Sequence, residues 1–497
     1  QDVAISNPDL NVQVGSAYKQ WDFYNKFTYQ PSDFIRHTLN VHYSATGDVP
    51  RYDRLTEVAG NLPRYSEWNY GPEKRFLASY QLEMTGKNPF YDRAQLSVAY
   101  QDIEESRISR RFKNNNRKSQ IEKVKVYTLN YDALKRTGIQ EWKYGVEATY
   151  NDVNSTAFTT NVSTNAITGA DTRYPNGGNQ MRSFALYLTD QISWHDKWYL
   201  HAGLRYNLIG LTAKFGSKEF FPFPFDDVKQ SPNALSGNAG IVFTPSHKTK
   251  INVLFSTGFR APNLDDLAKV FESIAGSLIV PNPGLKPEYT YNYEVGISQL
   301  LGKAARLEAS AYYTQIRDAI VTDAFTLNGQ SQITYNGTLS KITANQNKRS
   351  AYIQGFNVNL FLKLSKTLQL TSTVNRVTGK IKNDTGGTTP LDHIPPTYGR
   401  TSLLYQGKRF QAEVFSLYNS WKYISDYNLG GEDNQQYATA DGMPAWMTLN
   451  LRTSFDVNKF LSFQVACENI FDRNYRYFAS GISAPGRNFI VTVRGKL

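Results

Sequence analysis

The chain alternates apolar and polar residues with a period of two along most of its length, and this pattern limits its fold more than any other feature. In 142–151, Trp142, Tyr144, Val146, Ala148 and Tyr150 share one face, while Lys143, Gly145, Glu147, Thr149 and Asn151 share the other. The same pattern sets Trp198, Leu200, Ala202, Leu204 and Tyr206 against His201, Gly203, Arg205 and Asn207. Tyr291, Tyr293, Val295 and Ile297 oppose Asn292, Glu294 and Gly296, and Phe356, Val358, Leu360 and Leu362 oppose Asn357 and Asn359. Strands with one greasy and one wet face suit either a soluble sandwich or a membrane barrel with a polar lumen.

Composition narrows the choice. The 497 residues include 33 Tyr and 28 Phe, yet mean hydropathy is only −0.49. No run of 18 apolar residues occurs, so membrane-spanning helices are excluded. A transmembrane β-barrel leaves no such run, because only every second residue meets lipid. The single cysteine, Cys467, permits no intrachain disulfide and reads as a small strand residue within FQVACEN. A formal charge of +12 calls for an acidic partner, be it nucleic acid, anionic lipid or an anionic ligand. No secretory signal is visible at Gln1, which reads as the start of a mature chain or of a fragment.

The connections favour the barrel. Tight polar turns at Pro31-Ser32-Asp33, His195-Asp196-Lys197, Ser246-His247-Lys248, Ser365-Lys366, Gly407-Lys408 and Asn458-Lys459 alternate with long excursions at 45–75, 151–181, 209–232, 258–287, 316–347, 379–396 and 419–445. Bacterial outer-membrane barrels alternate in this way, with short periplasmic turns and long extracellular loops. A propeller would show four-stranded repeats, and none is present. The expected fold is all-β: a transmembrane antiparallel barrel, of which this chain supplies about 19 strands. Single-chain barrels are even-stranded, and 21–30 runs from outside towards the periplasm. The expectation is therefore one barrel domain over 1–497, with 1–20 an extracellular loop remnant. A plug and the first strands are missing, about three strands completing roughly 22.

Between Ser256 and Gly296 the sequence reads STGFRAPNLDDL, then NPGLKPE, then YTYNYEVG. These segments resemble the GFRAP-like and NPxLxPE-like signatures of the TonB-dependent outer-membrane receptors, which flank one extracellular loop. The C-terminal Asn469-Ile470-Phe471-Asp472, Tyr475-Arg476 and Ala484-Pro485-Gly486-Arg487-Asn488-Phe489 are similar to the end of the same barrel. The final strand puts Phe489, Val491, Val493 and Leu497 on one face, as an edge closing onto the first strand would. Family barrels usually finish on an aromatic residue, and this one finishes on Leu497.

Several residues are candidates for extracellular ligand binding. Arg260 and Asn282 flank the signature loop; alternatively Phe259, Pro262, Asn282 and Pro283 merely fix its exit and return. Haem importers of the family place a histidine between the two motifs, and residues 263–281 contain none, which argues against haem. Of six histidines, only His42, towards the lumen, and His393, in LDHIPP, are placed to face a ligand. Loop aromatics Tyr65, Trp68, Tyr70, Phe220, Phe221 and Phe223 suit a vestibule in which flat rings pack on a large ligand. Strand-end aromatics such as Trp21, Phe23 and Tyr24 suit the interfacial girdle.

A basic run, Arg107, Arg110, Arg111, Lys113, Arg117 and Lys118, is expected on an extracellular loop, where it meets lipopolysaccharide phosphates, draws in an anionic ferric chelate, or simply solvates the loop. Nucleic acid is disfavoured, because the charge neither follows one helix nor interleaves with a stacking platform. GxSxG, HExxH, paired-Cys and P-loop patterns are absent, so no enzyme, metal site or cofactor is expected. The resemblance implies an outer-membrane receptor capturing a ferric siderophore, haem or cobalamin, with a plug driven by the TonB complex. The alternative is a receptor-like scaffold for surface lipoproteins in the same membrane.

Overall fold

The structure, a computed structural model, describes residues 2–496 apart from 221–222, 275, 336, 383–385 and 430. Its frame is a single curved antiparallel sheet of 19 long strands. In chain order these are β1 (Gln20–Ser32), β2 (Ile35–Thr46), β3 (Lys74–Thr85), β4 (Arg93–Arg111), β5 (Asn116–Thr137) and β6 (Gln140–Asn161). They continue with β7 (Asn179–His195), β8 (Trp198–Lys214), β9 (Asn233–Ser246), β10 (Thr249–Arg260), β11 (Glu288–Leu301), β12 (Ala305–Ala324) and β13 (Thr338–Lys363). The last are β14 (Leu368–Lys382), β15 (Tyr398–Gln406), β16 (Phe410–Asn419), β17 (Trp446–Asp456), β18 (Leu461–Glu468) and β19 (Asn488–Gly495). Each pairs with its sequence neighbours. Among the described residues no ladder joins β19 to β1.

The pleat sorts the side chains as the alternation requires. Phe184, Leu186 and Leu188 on β7, Leu204 and Tyr206 on β8, and Tyr293, Val295 and Ile297 on β11 are exposed on the outer wall. The lumen face is wet: Arg205 reaches Glu147 at 2.5 Å, Arg400 reaches Glu413 at 2.5 Å, and Thr373 donates to Asn359 at 2.8 Å. A row of rings, Phe76, Tyr100, Tyr127 and Tyr150, crosses β3–β6, consistent with a girdle at the boundary of the apolar band. On β1 and β19 both faces lie open, with Trp21 79% and Val491 70% exposed.

Connections at one rim are short, 33–34, 138–139, 196–197 and 247–248 among them. At the other rim they are long, with one exception that corrects the sequence-based expectation. The outer connection between β4 and β5 is only 112–115, because these strands extend past the girdle as a hairpin. The basic run therefore lies largely on paired strands, not on a loop. Beyond the girdle charged and polar residues are interspersed with Ile103, Ile108, Ile121 and Val124 on both hairpin faces, so the strict apolar alternation that marks a strand is lost there.

The apolar cores lie outside the membrane band, among the long loops. One cluster joins Val153, Leu211, Ala213 and Val228 to Leu264, Leu267, Ala268 and Leu285; a second joins Phe223, Val270, Leu278, Val280, Leu327 and Ile342. Both are built around 261–287, the loop between the two signature motifs. Residues Ser277–Ile279 of this loop pair in parallel with β13 at Lys341–Thr343. The cap is thus packed like a small globular domain on the barrel rim.

Candidate functional site

Beneath this cap lies a cavity of about 430 Å³. The outer ends of β4 and β5 supply Arg107, Arg111 and Lys118; the 47–73 loop supplies Arg54, Tyr65 and Trp68. The 162–178 loop adds Asp171 and Arg173, and Phe220, Glu272 and Tyr335 complete the rim. Five cationic side chains therefore face two carboxylates, with four aromatic rings between them.

Most of these cations are held in place. Lys118 Nζ lies 2.7 Å from Asp171, whose carboxylate also accepts from the Tyr335 hydroxyl at 2.8 Å. Arg107 bonds the buried Glu122 at 3.2 Å and its guanidinium stands 5.3 Å from the Tyr70 ring. Arg173 meets Asp265 at 3.2 Å, and Tyr174 donates to the same carboxylate at 2.6 Å. Burial alone would raise the Asp265 acid, but Lys269 at 2.9 Å, with Tyr174 and Arg173, holds it down to about 2. Arg64, itself buried, spans Glu57 at 3.1 Å and Glu272 at 2.7 Å, tying the 47–73 loop to the signature loop. Arg111 differs: it lines the cavity opposite Tyr65 in the strand register and forms no ion pair among the described residues. Fixed rings and partly compensated cations suit a rigid, flat or polyanionic ligand, since neither component must reorganise on binding.

A family model described as "TonB dependent receptor-like, beta-barrel" matches residues 2–470. The chain belongs to the TonB-dependent receptor family. Lactoferrin-binding protein A of Neisseria meningitidis serogroup B is 24% identical over 298 residues, covering 52% of this chain and 31% of that protein. The iron-regulated outer membrane virulence protein of Vibrio cholerae serotype O1 is 23% identical over 243 residues, covering 47% of this chain and 35% of that protein. These alignments thus span about a third of the curated relatives' length. The solved copper transporter OprC shares the fold with a TM-score of 0.79 at 15% identity, covering 97% of this chain and 72% of that one. The barrel is accordingly an outer-membrane barrel of a Gram-negative cell.

In this TonB-dependent receptor barrel the sequence-derived site residues fall into two groups. Tyr65 and Trp68 line the cavity, and Tyr70 packs edge-on against Trp68, 5.1 Å between centroids. Phe220 is at the rim and Phe223 is buried in the cap, while Phe221 lies outside the described residues. Arg260 and Asn282 are not among the cavity-lining residues. Arg260 bonds Asp266 at 2.8 Å, and Asp266 completes a capping box with Asn263 at the Leu264–Ala268 helical turn. Asn282 donates to the Asn345 carbonyl at 2.7 Å and accepts from the Gly284 amide at 3.1 Å, fixing the loop's return against β13. His42 lies on the lumen face of β2, its Nε2 3.7 Å from Asp22. His393 has a left-handed backbone, φ 60°, and donates its amide to Asp433 at 2.7 Å.

Arg54, Asp171, Arg173, Glu272 and Tyr335 were not singled out from the sequence. Each is an isolated charged or aromatic residue in a long connection, and only loop packing brings them together. The usable signal was the basic run itself, three of whose members line the cavity.

Proposed function

We propose that the capped cavity is the outer binding site of an active-uptake receptor, and that its ligand is an anionic iron chelate such as a ferric siderophore. The excess of cations among fixed aromatic rings carries this reading: charge attracts the chelate and the rings hold its flat ligand groups. The names of the relatives, iron-regulated and lactoferrin-binding, are in keeping with iron. Haem and cobalamin remain the other ligands of this size class. A scaffold docking surface lipoproteins has no need of such a cavity.

The open edges of β1 and β19 support a reading of the rest of the receptor. We propose that about three further strands, from a preceding part of the full receptor, fill that gap and complete roughly 22, and that a plug bonded to the wet lumen wall contacts the TonB complex. Residues 1–20 then belong to an outer loop, in keeping with Gln13 bonding Ser483 and Asp2 bonding Arg110. Deleting the gene and supplying single iron sources tests uptake. Loss of growth on one ferric chelate is expected; unchanged growth and uptake on all of them contradicts the proposal.

A further inference from the structure

The ion pairs around the capped cavity are built in two ways. Arg54, Arg107 and Arg173 are held from behind, since their carboxylate partners Glu57, Glu122 and Asp265 are not among the lining residues. Glu272 is likewise paired to Arg64, which does not line the cavity. Lys118 and Asp171 differ. Among the described residues theirs is the one ion pair with both members on the cavity wall.

Lys118 Nζ reaches both Asp171 carboxylate oxygens at 2.7 Å, and the Tyr335 hydroxyl donates to one of them at 2.8 Å. The three residues come from separate elements: Lys118 from β5, Tyr335 from the short strand Gln332–Tyr335, and Asp171 from the 162–178 loop. The ammonium also lies 3.5 Å from the Tyr335 hydroxyl and 5.8 Å from the centre of its ring. Cation and phenol thus meet independently of Asp171. Both side chains of the ion pair are mostly buried, and an ammonium left there without an anion would keep its desolvation cost uncompensated. The place therefore favours a bound oxyanion at all times.

We infer that Lys118 and Tyr335 form a subsite for one anionic oxygen group of the ligand, and that Asp171 is its stand-in while the cavity is empty. A carboxylate or catecholate oxygen of the chelate takes the place of the Asp171 carboxylate. The cation and the phenol stay where they are. Asp171 only turns away, a rotamer change compatible with the bond from Gln120 to its carbonyl oxygen at 3.0 Å. A tethered carboxylate competes at an effective concentration on the order of millimolar or more, so a small anion displaces it poorly. A large chelate displaces it because the remaining cations and rings add to the chelate's side of the exchange. The inference rests on the reading of the cavity as the outer binding site, and it assigns one contact within that site.

The test uses the purified full-length receptor and benzoate, with benzamide as its neutral counterpart, followed by ligand-observed NMR. Asp171→Ala is expected to bind benzoate about tenfold more tightly than the unaltered protein, because the competing carboxylate is gone. Asp171→Asn, which keeps the shape of the side chain, should change in the same direction. Benzamide binding should stay the same, and adding Lys118→Met to Asp171→Ala should erase the gain. No gain on benzoate in either Asp171 variant would overturn the inference. An equal gain for benzamide would overturn it too, since Asp171 would then only have filled space. A structure of the unaltered receptor with a ferric tris-catecholate in the cavity decides the point without any variant. A ligand oxygen on Lys118 in place of Asp171 is expected, and an intact Lys118–Asp171 contact beside the bound chelate would overturn the inference. Absence of any chelate from the cavity would count against the uptake function, whereas the benzoate titration would still decide the subsite.

Discussion

Arg111 is the residue at which binding and folding come apart. Its neighbours Arg173 and Lys118 hold loops through carboxylates, but Arg111 has no such partner among the described residues. Arg111→Ala is expected to weaken an anionic chelate about tenfold, near 1.4 kcal/mol, with thermal stability unchanged; isothermal titration and a melting curve check both. Asp392 is sensitive to pH instead. Burial, reinforced by Asp433, raises its carboxyl from 3.8 to about 6. The folded chain then keeps a proton that the unfolded chain releases, so packing of Asp392 and His393 against Glu432 and Asp433 is firmest below pH 4 and weakens as pH rises to 6. Asp265 acts in the opposite sense, its contribution present above pH 4 and lost towards pH 2. Asp392→Asn should flatten the first decline, by at most roughly 3 kcal/mol, as read by hydrogen exchange at those residues. Tyr65 and Trp68 were legible as loop aromatics. Arg173 was not, because its role exists only once Tyr174 and Asp265 fold against it.

At the scale of elements, strands were legible and loops were not. A strand's two faces are written locally, in every second residue, whereas Leu267 and Val228 meet only through tertiary packing. The signature motifs were visible in the sequence, and their neighbours show what they do physically. Arg260 clamps a capping residue, and Asn282 pins the loop to β13. Leu267→Ala, at a fully buried site, should cost the cap about 2–5 kcal/mol. Limited proteolysis is then expected to cut 261–287 while the barrel keeps its heat-modifiable gel migration. Simultaneous collapse of barrel and loop would mean that the cap is not a separate unit.

At the scale of the molecule, a lipid-facing wall and a packed cap divide the work. The wall needs no apolar core of its own, because its outward face is solvated by hydrocarbon. The edges of β1 and β19 bear on what completes the wall. If three strands intervene in the full receptor, spin labels at Asn25 and Val491 should lie about 19 Å apart or more, four strand spacings; a separation under about 10 Å would show direct closure. The most direct test of the central claim is titration of the purified full-length receptor with ferric chelates of matched size and differing net charge. Anionic chelates are expected to bind at least tenfold more tightly than neutral or cationic ones, and Arg111→Glu should erase the difference. Binding indifferent to chelate charge would contradict the account.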